Sequence, residues 1–301
     1  MATCVAACLG SFFNVVAWRL PRGMSLSFPP SHCPGCSAPI PWYRNIPVAT
    51  WLLQRGRCAR CGCRIPVRYV LVEAFCALLG LGWAALALSG HWTDPGLAAG
   101  WIVFALAGVP IALIDWDTFE IPDGLVVVAG LGGGLARVLF SETPAETFPP
   151  AIRDGLLACG ALYALSFSSR VLLGWVGSGS RRFLRSTRSR RHGGARPVVR
   201  LLLRWARFDG DVEALGLGDV SLGLSAGVAL GVPAVLAGLP VAAVFGLLAH
   251  ALAAGVRSRA KNAGLDEFSI PFGPFLVLGF LVAGILLGGT HSVLGEFLPF
   301  P

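Results

Sequence analysis

The chain has 301 residues, of which 55% are hydrophobic and only 13% charged, with a mean hydropathy of +0.70. Soluble domains carry about 25% charged residues, so this composition excludes a soluble globular enzyme and points to an integral membrane protein. The net charge of +8 is unevenly spread, and its placement orients the chain in a bilayer.

Eight apolar segments follow one another, at about 1–17, 67–88, 97–114, 124–140, 153–176, 220–232, 234–254 and 271–290. Several approach the ~20 residues a helix needs to cross a bilayer; the segment 220–232 is short for a span. The expected fold is an all-α polytopic bundle of about eight transmembrane helices. The first run has no basic stretch before it and no small-residue cleavage site after it, so it reads as a retained helix. It begins at Met1, inside the span, as if a few residues preceded it. Of the 24 Lys and Arg, 21 lie in the connections 18–68, 177–218 and 255–270, and none in 89–96 or 141–152. Eight spans put the first three connections on one side, and the positive-inside rule makes that side cytoplasmic. Both termini are then periplasmic or extracellular. The arginine run at 181–191 reads as a loop held at anionic lipid in preference to a nucleic-acid patch.

The first basic connection holds five of the nine cysteines. Cys4, Cys8, Cys76 and Cys159 lie in apolar runs and read as small core residues. Cys33-Pro34-Gly35-Cys36 and Cys58-Ala59-Arg60-Cys61 form two C-x-x-C knuckles separated by 21 residues. That pattern fits a four-thiolate zinc site, structural because four thiolates leave no open position for water. Disulfides or free thiols are the alternatives, and a reducing cytoplasmic side argues against disulfides. Cys63 is an alternative ligand to Cys61.

Two aspartates stand where apolar runs meet the cytoplasmic side. Asp115 closes the run that ends at Ile114, and Asp219 opens the run after Gly216-Leu217-Gly218. Gly216 and Gly218 permit a positive φ and close approach. Gly223, Gly227 and Gly231 continue at four-residue spacing from Asp219, a stripe that lets this helix press on a neighbour, such as the one bearing Asp115. Two such carboxyls can share one proton and activate water, as in aspartic peptidases. The plainer readings are a helix N-cap for Asp219 and for Asp123, and a solvated turn for Asp117. His32, His91, His192, His250 and His291 are scattered, so no Ser-His or Cys-His pairing stands out.

Six motifs in order now resemble one family. They are Gly10 to Pro21; the two cysteine knuckles enclosing Trp42 to Val48; Arg68-Tyr69 with Val72-Glu73; Asp115 with Ile121-Pro122-Asp123; Gly216-Leu217-Gly218-Asp219; and Ile270-Pro271-Phe272-Gly273-Pro274-Phe275. Together they resemble the bacterial type IV prepilin peptidases of the bifunctional leader peptidase and N-methyltransferase kind. The resemblance implies cleavage of the leader of prepilins or secretion pseudopilins after a glycine, at the cytoplasmic face of the inner membrane. It also implies methylation of the new amino terminus with S-adenosylmethionine. Asp115 and Asp219 carry over as the catalytic pair, and Cys33, Cys36, Cys58 and Cys61 as the metal-loop cysteines. Arg68 and Glu73 carry over as supports of that loop or of the methyl-donor site. The resemblance also divides the chain into residues 1–95, with the cysteine loop at 18–67, and a peptidase core at 96–301. Two departures stand out. Ser221 occupies a position where the family commonly has Lys, with Arg207 a candidate to compensate, and the loop 177–218 is long and basic. The competing reading is a zinc-containing membrane assembly or transport component, with Asp115 and Asp219 as ion or proton ligands.

Overall fold

The computed structural model describes residues 1–92, 94–187, 216–252 and 271–288. Each of the eight apolar segments is mainly helical over its described residues, and the described residues contain no β-strand, only isolated bridges. Helix α1 (Ala2–Arg19) runs into a 3-10 turn at Leu20–Arg22. The cysteine connection follows, with a second 3-10 turn at Trp42–Arg44 and the short α2 (Ala49–Leu53). Helices α3 (Val67–Leu88), α4 (Pro95–Thr118), α5 (Asp123–Leu139) and α6 (Pro144–Thr187) come next. Then come α7 (Leu217–Leu230), α8 (Val232–Leu252) and α9 (Gly273–Gly288).

Local chemistry sets the ends that matter for the site. Asp94 caps α4, its Oδ1 accepting from Gly96 N–H at 2.7 Å with Pro95 at the first helical position. Phe119 ends the same helix in the left-handed region at φ 60°, and its N–H bonds Asp115 O at 2.8 Å. Pro122 starts α5, so Asp123 is the first helical residue and makes no side-chain cap. The cap reading for Asp123 therefore gives way to a first-turn acid facing the helix dipole.

Among the described residues, four stretches have the length and composition to cross a membrane: Ala2–Arg22, Val67–Leu88, Pro95–Thr118 and Val232–Ala249. At 1.5 Å per residue, the 14 residues of α7 cover about 21 Å, short of a ~30 Å hydrocarbon core. In the other direction, α6 continues helical to Thr187, so the first part of the expected loop at 177–218 belongs to a helix. Residues 188–215 of that loop, including His192 and Arg207, lie outside the described residues, as do the connection 253–270 and His291.

α1 and α3 pack side by side, and both touch α4. A larger core joins α4 to α9, with Trp101, Phe104, Ile111, Leu162, Leu222, Leu276 and Phe280 all buried. The glycine stripe of α7 does not face α4. A Cβ on Gly227 would meet Ala158 Cβ and Asp154 O at 2.7 Å, and one on Gly223 would meet Leu162. The stripe presses on α6, because four-residue spacing defines a face but not the helix that fills it. At the far end of α5, Arg137 Nη2 pairs with Asp154 Oδ2 at 3.2 Å, both buried. Arg137 Nη1 also donates to Val228 O at 3.1 Å, pinning α5, α6 and α7 together.

Candidate active site

Three turns converge at one end of the core. The first is the α4–α5 turn, with Ile121 and Pro122. The second is the Gly216-Leu217-Gly218 entry to α7, and the third is the entry to α9 at Phe272-Gly273. Ile121 is their common contact. A Cβ on Gly218 would lie 2.9 Å from Ile121 Cβ, and one on Gly273 would lie 3.3 Å from Ile121 Cδ1. Close approach is thus the use of Gly218. The expected positive φ is absent: Gly216 has φ −71° and ψ 162°, an extended N-cap, and Gly218 is helical.

Asp115, one turn before the end of α4, is buried at 4% exposure. Its Oδ2 accepts a hydrogen bond from Gly273 N–H at 2.8 Å. Asp219 is the third residue of α7, and its Oδ2 accepts from Gly216 N–H at 3.0 Å. It is not the N-cap, since it reaches back to the cap residue's N–H as a first-turn acid does in a capping box. The two carboxylates come from separate helices, and Ile121 links their surroundings: it meets both Gly218, next to Asp219, and Gly273, which bonds Asp115. Each carboxylate thus holds one backbone donor on one oxygen, which leaves the other oxygen of each for a water or a substrate. Ser221, two residues on, donates its hydroxyl to Gly218 O at 2.9 Å and brings no charge to the pair.

Asp117 is exposed, as expected, but is helical and ion-paired and does not stand in a turn. It lies in the last turn of α4 and pairs with Arg68 Nη1, while Arg68 Nη2 donates to Leu113 O at 3.3 Å. Arg68 therefore ties the start of α3 to the end of α4, beside Asp115. Glu73, buried in α3, accepts from Val48 N–H at 2.7 Å and so holds the cysteine loop. Sequence reasoning gave no role to the Gly273 N–H, because a backbone donor leaves no residue-type signature beyond a glycine in a family motif. His32 bonds Pro30 O and His91 bonds Ile285 O, both apart from the aspartates.

The two cysteine knuckles repeat each other at an offset of 25 residues. Cys33 N–H bonds Ala38 O at 2.9 Å, and Cys58 N–H bonds Cys63 O at 2.8 Å. Ser37 and Gly62 both take positive φ, at 53° and 71°. Gly35 N–H reaches Cys33 Sγ at 3.3 Å, and Arg60 N–H reaches Cys58 Sγ at 3.4 Å. Isolated bridges, His32 to Pro39 and Arg57 to Arg64, close each turn. The sulfurs of Cys33, Cys36, Cys58 and Cys61 all lie within 4.8 Å of one another. A tetrahedron of thiolates at 2.3 Å from zinc has edges of about 3.8 Å, so this set fits the ion after a small contraction. By the repeat, Cys61 matches Cys36, whereas Cys63 matches Ala38. Cys63 Sγ nonetheless sits 3.2 Å from Cys33 Sγ. The Cys63 thiol and then the Gly35 N–H hold Cys33 down to about 6. The Cys33 and Cys61 sulfurs, with burial, push Cys63 up to about 12. At Cys36 the Ala38 N–H pulls downward, but burial and the Cys61 and Cys33 sulfurs outweigh it and raise the thiol to about 11.

Comparison with known proteins bears on the family. The family profile described as Bacterial Peptidase A24 N-terminal domain matches residues 4–87. A prepilin leader peptidase/N-methyltransferase of Myxococcus xanthus is 39% identical over 169 residues, covering 56% of this chain and 46% of its own length. The prepilin leader peptidase/N-methyltransferase of Klebsiella pneumoniae is 36% identical over 162 residues, 51% of this chain and 68% of that one. In Escherichia coli O78:H11, a type 4 prepilin-like proteins leader peptide-processing enzyme is 32% identical over 192 residues, 58% of this chain and 68% of its own. The matched part thus spans about half of the Myxococcus protein and two thirds of the other two. No solved structure matches the chain. With two relatives above 30% identity matched over two thirds of their length, the chain belongs to the prepilin leader peptidase/N-methyltransferase family.

Proposed function

We propose that this protein is an aspartic endopeptidase of the inner membrane. It cuts the leader of a type IV prepilin or pseudopilin after glycine, and then methylates the new amino terminus. What supports this reading is that Asp115 and Asp219, each braced by one backbone N–H, lie beside two glycines, Gly273 and Gly218, that both meet Ile121. In the proposed reaction one carboxylate takes a proton from water while its protonated partner donates a hydrogen bond to the scissile carbonyl. Water attacks directly, with no covalent enzyme intermediate. Both carboxylates stand within a turn of a helix end, where extended substrate backbone can reach water. A lipid-exposed strand at mid-membrane could not satisfy its hydrogen bonds. Helix-end placement also weighs against the transport reading, in which ion ligands favour broken helices at the midplane. The basic connections argue for a cytoplasmic site and for termini on the opposite side.

For the second activity, S-adenosylmethionine supplies the methyl group when bound. The fit of the thiol set supports zinc held by Cys33, Cys36, Cys58 and Cys61, which would stabilise a loop too small for a core of its own. The bonds of Glu73 to Val48 and of Arg68 to Asp117 favour structural roles for both residues, as supports of the loop and its anchor helix. The direct test is co-expression with a prepilin and a gel-shift readout. Asp115→Asn and Asp219→Asn should each leave the precursor uncut while the enzyme still inserts. Mature pilin from either variant would rule out the pair.

A further inference from the structure

The segment from 18 to 68 carries eight arginines and no aspartate or glutamate. It leaves the membrane at the end of α1 and returns at the start of α3, two helices that pack together. It therefore stays close to the bilayer surface. Its short helix α2 is fixed lower still. Val48, just before α2, bonds Glu73 Oε2, and Glu73 lies six residues beyond Val67 in α3. At 1.5 Å per residue, this sets α2 beside a point about 9 Å along that span. Trp51 Nε1 donates to Ile65 O at 3.3 Å and holds α2 from its other side. Yet Leu53 is 85% exposed, Trp42 83% and Leu52 60%. Exposed arginines flank them, at Arg44, Arg55 and Arg57.

The bare leucines of α2 at the depth of a span's second turn, with the exposed Trp42 in the same connection and a rim of charge of one sign, match an anionic lipid leaflet. Tryptophan also favours that boundary. We infer that this segment is a membrane-surface anchor: Leu52, Leu53 and Trp42 enter the headgroup–acyl boundary of an anionic phospholipid leaflet, and Arg44, Arg55 and Arg57 bind its phosphates. The anchor holds the thiol cluster at a fixed height over the bilayer.

The test uses the full chain with p-benzoylphenylalanine replacing Leu53 or, separately, Trp42. Both positions are more than four-fifths exposed, so neither replacement removes a buried contact. The protein is reconstituted in phosphatidylcholine vesicles, with or without phosphatidylglycerol, and irradiated. Phospholipid adducts are expected at both positions in the anionic vesicles. The docked fraction should fall by up to about fivefold for each arginine neutralised, as in Arg55→Gln or Arg57→Gln. Adducts to the chain itself or to a protein partner, or no adduct, would overturn the inference. So would a lipid yield indifferent to phosphatidylglycerol.

Discussion

Replacing Gly273 by alanine tests how the Asp115 carboxylate is held. A Cβ at that position would stand 2.7 Å from Asp115 Oδ2 and 3.2 Å from its Cγ, several tenths of an ångström too close. Either the carboxyl turns away or the start of α9 shifts, and in both cases the 2.8 Å bond from Gly273 N–H is strained or lost. A hydrogen bond to a charged group is worth about 1.5–3 kcal/mol. Ten-fold in rate corresponds to about 1.4 kcal/mol, so Gly273→Ala should slow prepilin cleavage by roughly 10- to 150-fold. The assay is the initial rate of cleavage by purified enzyme in vesicles. Gly124→Ala is the control, because nothing lies within 4 Å of its Cβ position and alanine is the better helix former. Wild-type cleavage by Gly273→Ala, or an equal loss in Gly124→Ala, would refute the reasoning.

Cys61→Ser should release the metal and lower methylation more than cleavage, whereas Cys63→Ser should keep the metal; metal analysis and the mass of the mature pilin terminus decide both. Zinc affinity should rise with pH. Around pH 7–8, Cys33 near 6 is already a thiolate, while Cys36 near 11 must give up a proton to bind. Each proton released changes the binding constant about tenfold per pH unit, and chelator competition between pH 7 and 8 measures it. A flat profile would mean that no thiol proton is displaced. Arg137→Ala leaves the buried Asp154 carboxylate without its buried partner and should destabilise the fold by about 3–5 kcal/mol. Arg137→Met with Asp154→Leu should recover much of this in thermal melts, and a double variant no more stable than the single would argue against the pair.

Hydropathy made all eight helices legible, because an apolar run of this length has no other way to satisfy its backbone in lipid. It did not reveal where α6 ends. The helix runs past its apolar stretch into arginine-rich sequence as far as Thr187, and polarity alone does not stop a helix. The positions of Asp115 and Asp219 followed from where apolar runs meet polar ones. Their bracing did not, since both donors are main-chain N–H groups, one of Gly273 far along the chain from Asp115 and one of Gly216 just before Asp219. The glycines near Asp219 announced close packing but not its partner, which is α6 for the stripe and Ile121 for Gly218. The knuckle spacing pointed to the thiol cluster. The repeated backbone bonds, which align Cys63 with Ala38, favour Cys61 over Cys63 as the proposed ligand.

The central claim is that Asp115 and Asp219 work as one unit, and the cleavage rates of Asp115→Asn, Asp219→Asn and the double variant test it most directly. Groups that act together are non-additive. Each single change should cost at least ~10⁴-fold, and the double variant should be no slower than the worse single. Residual processing by either single variant near the wild-type rate, or losses that multiply in the double, would contradict a shared reaction centre.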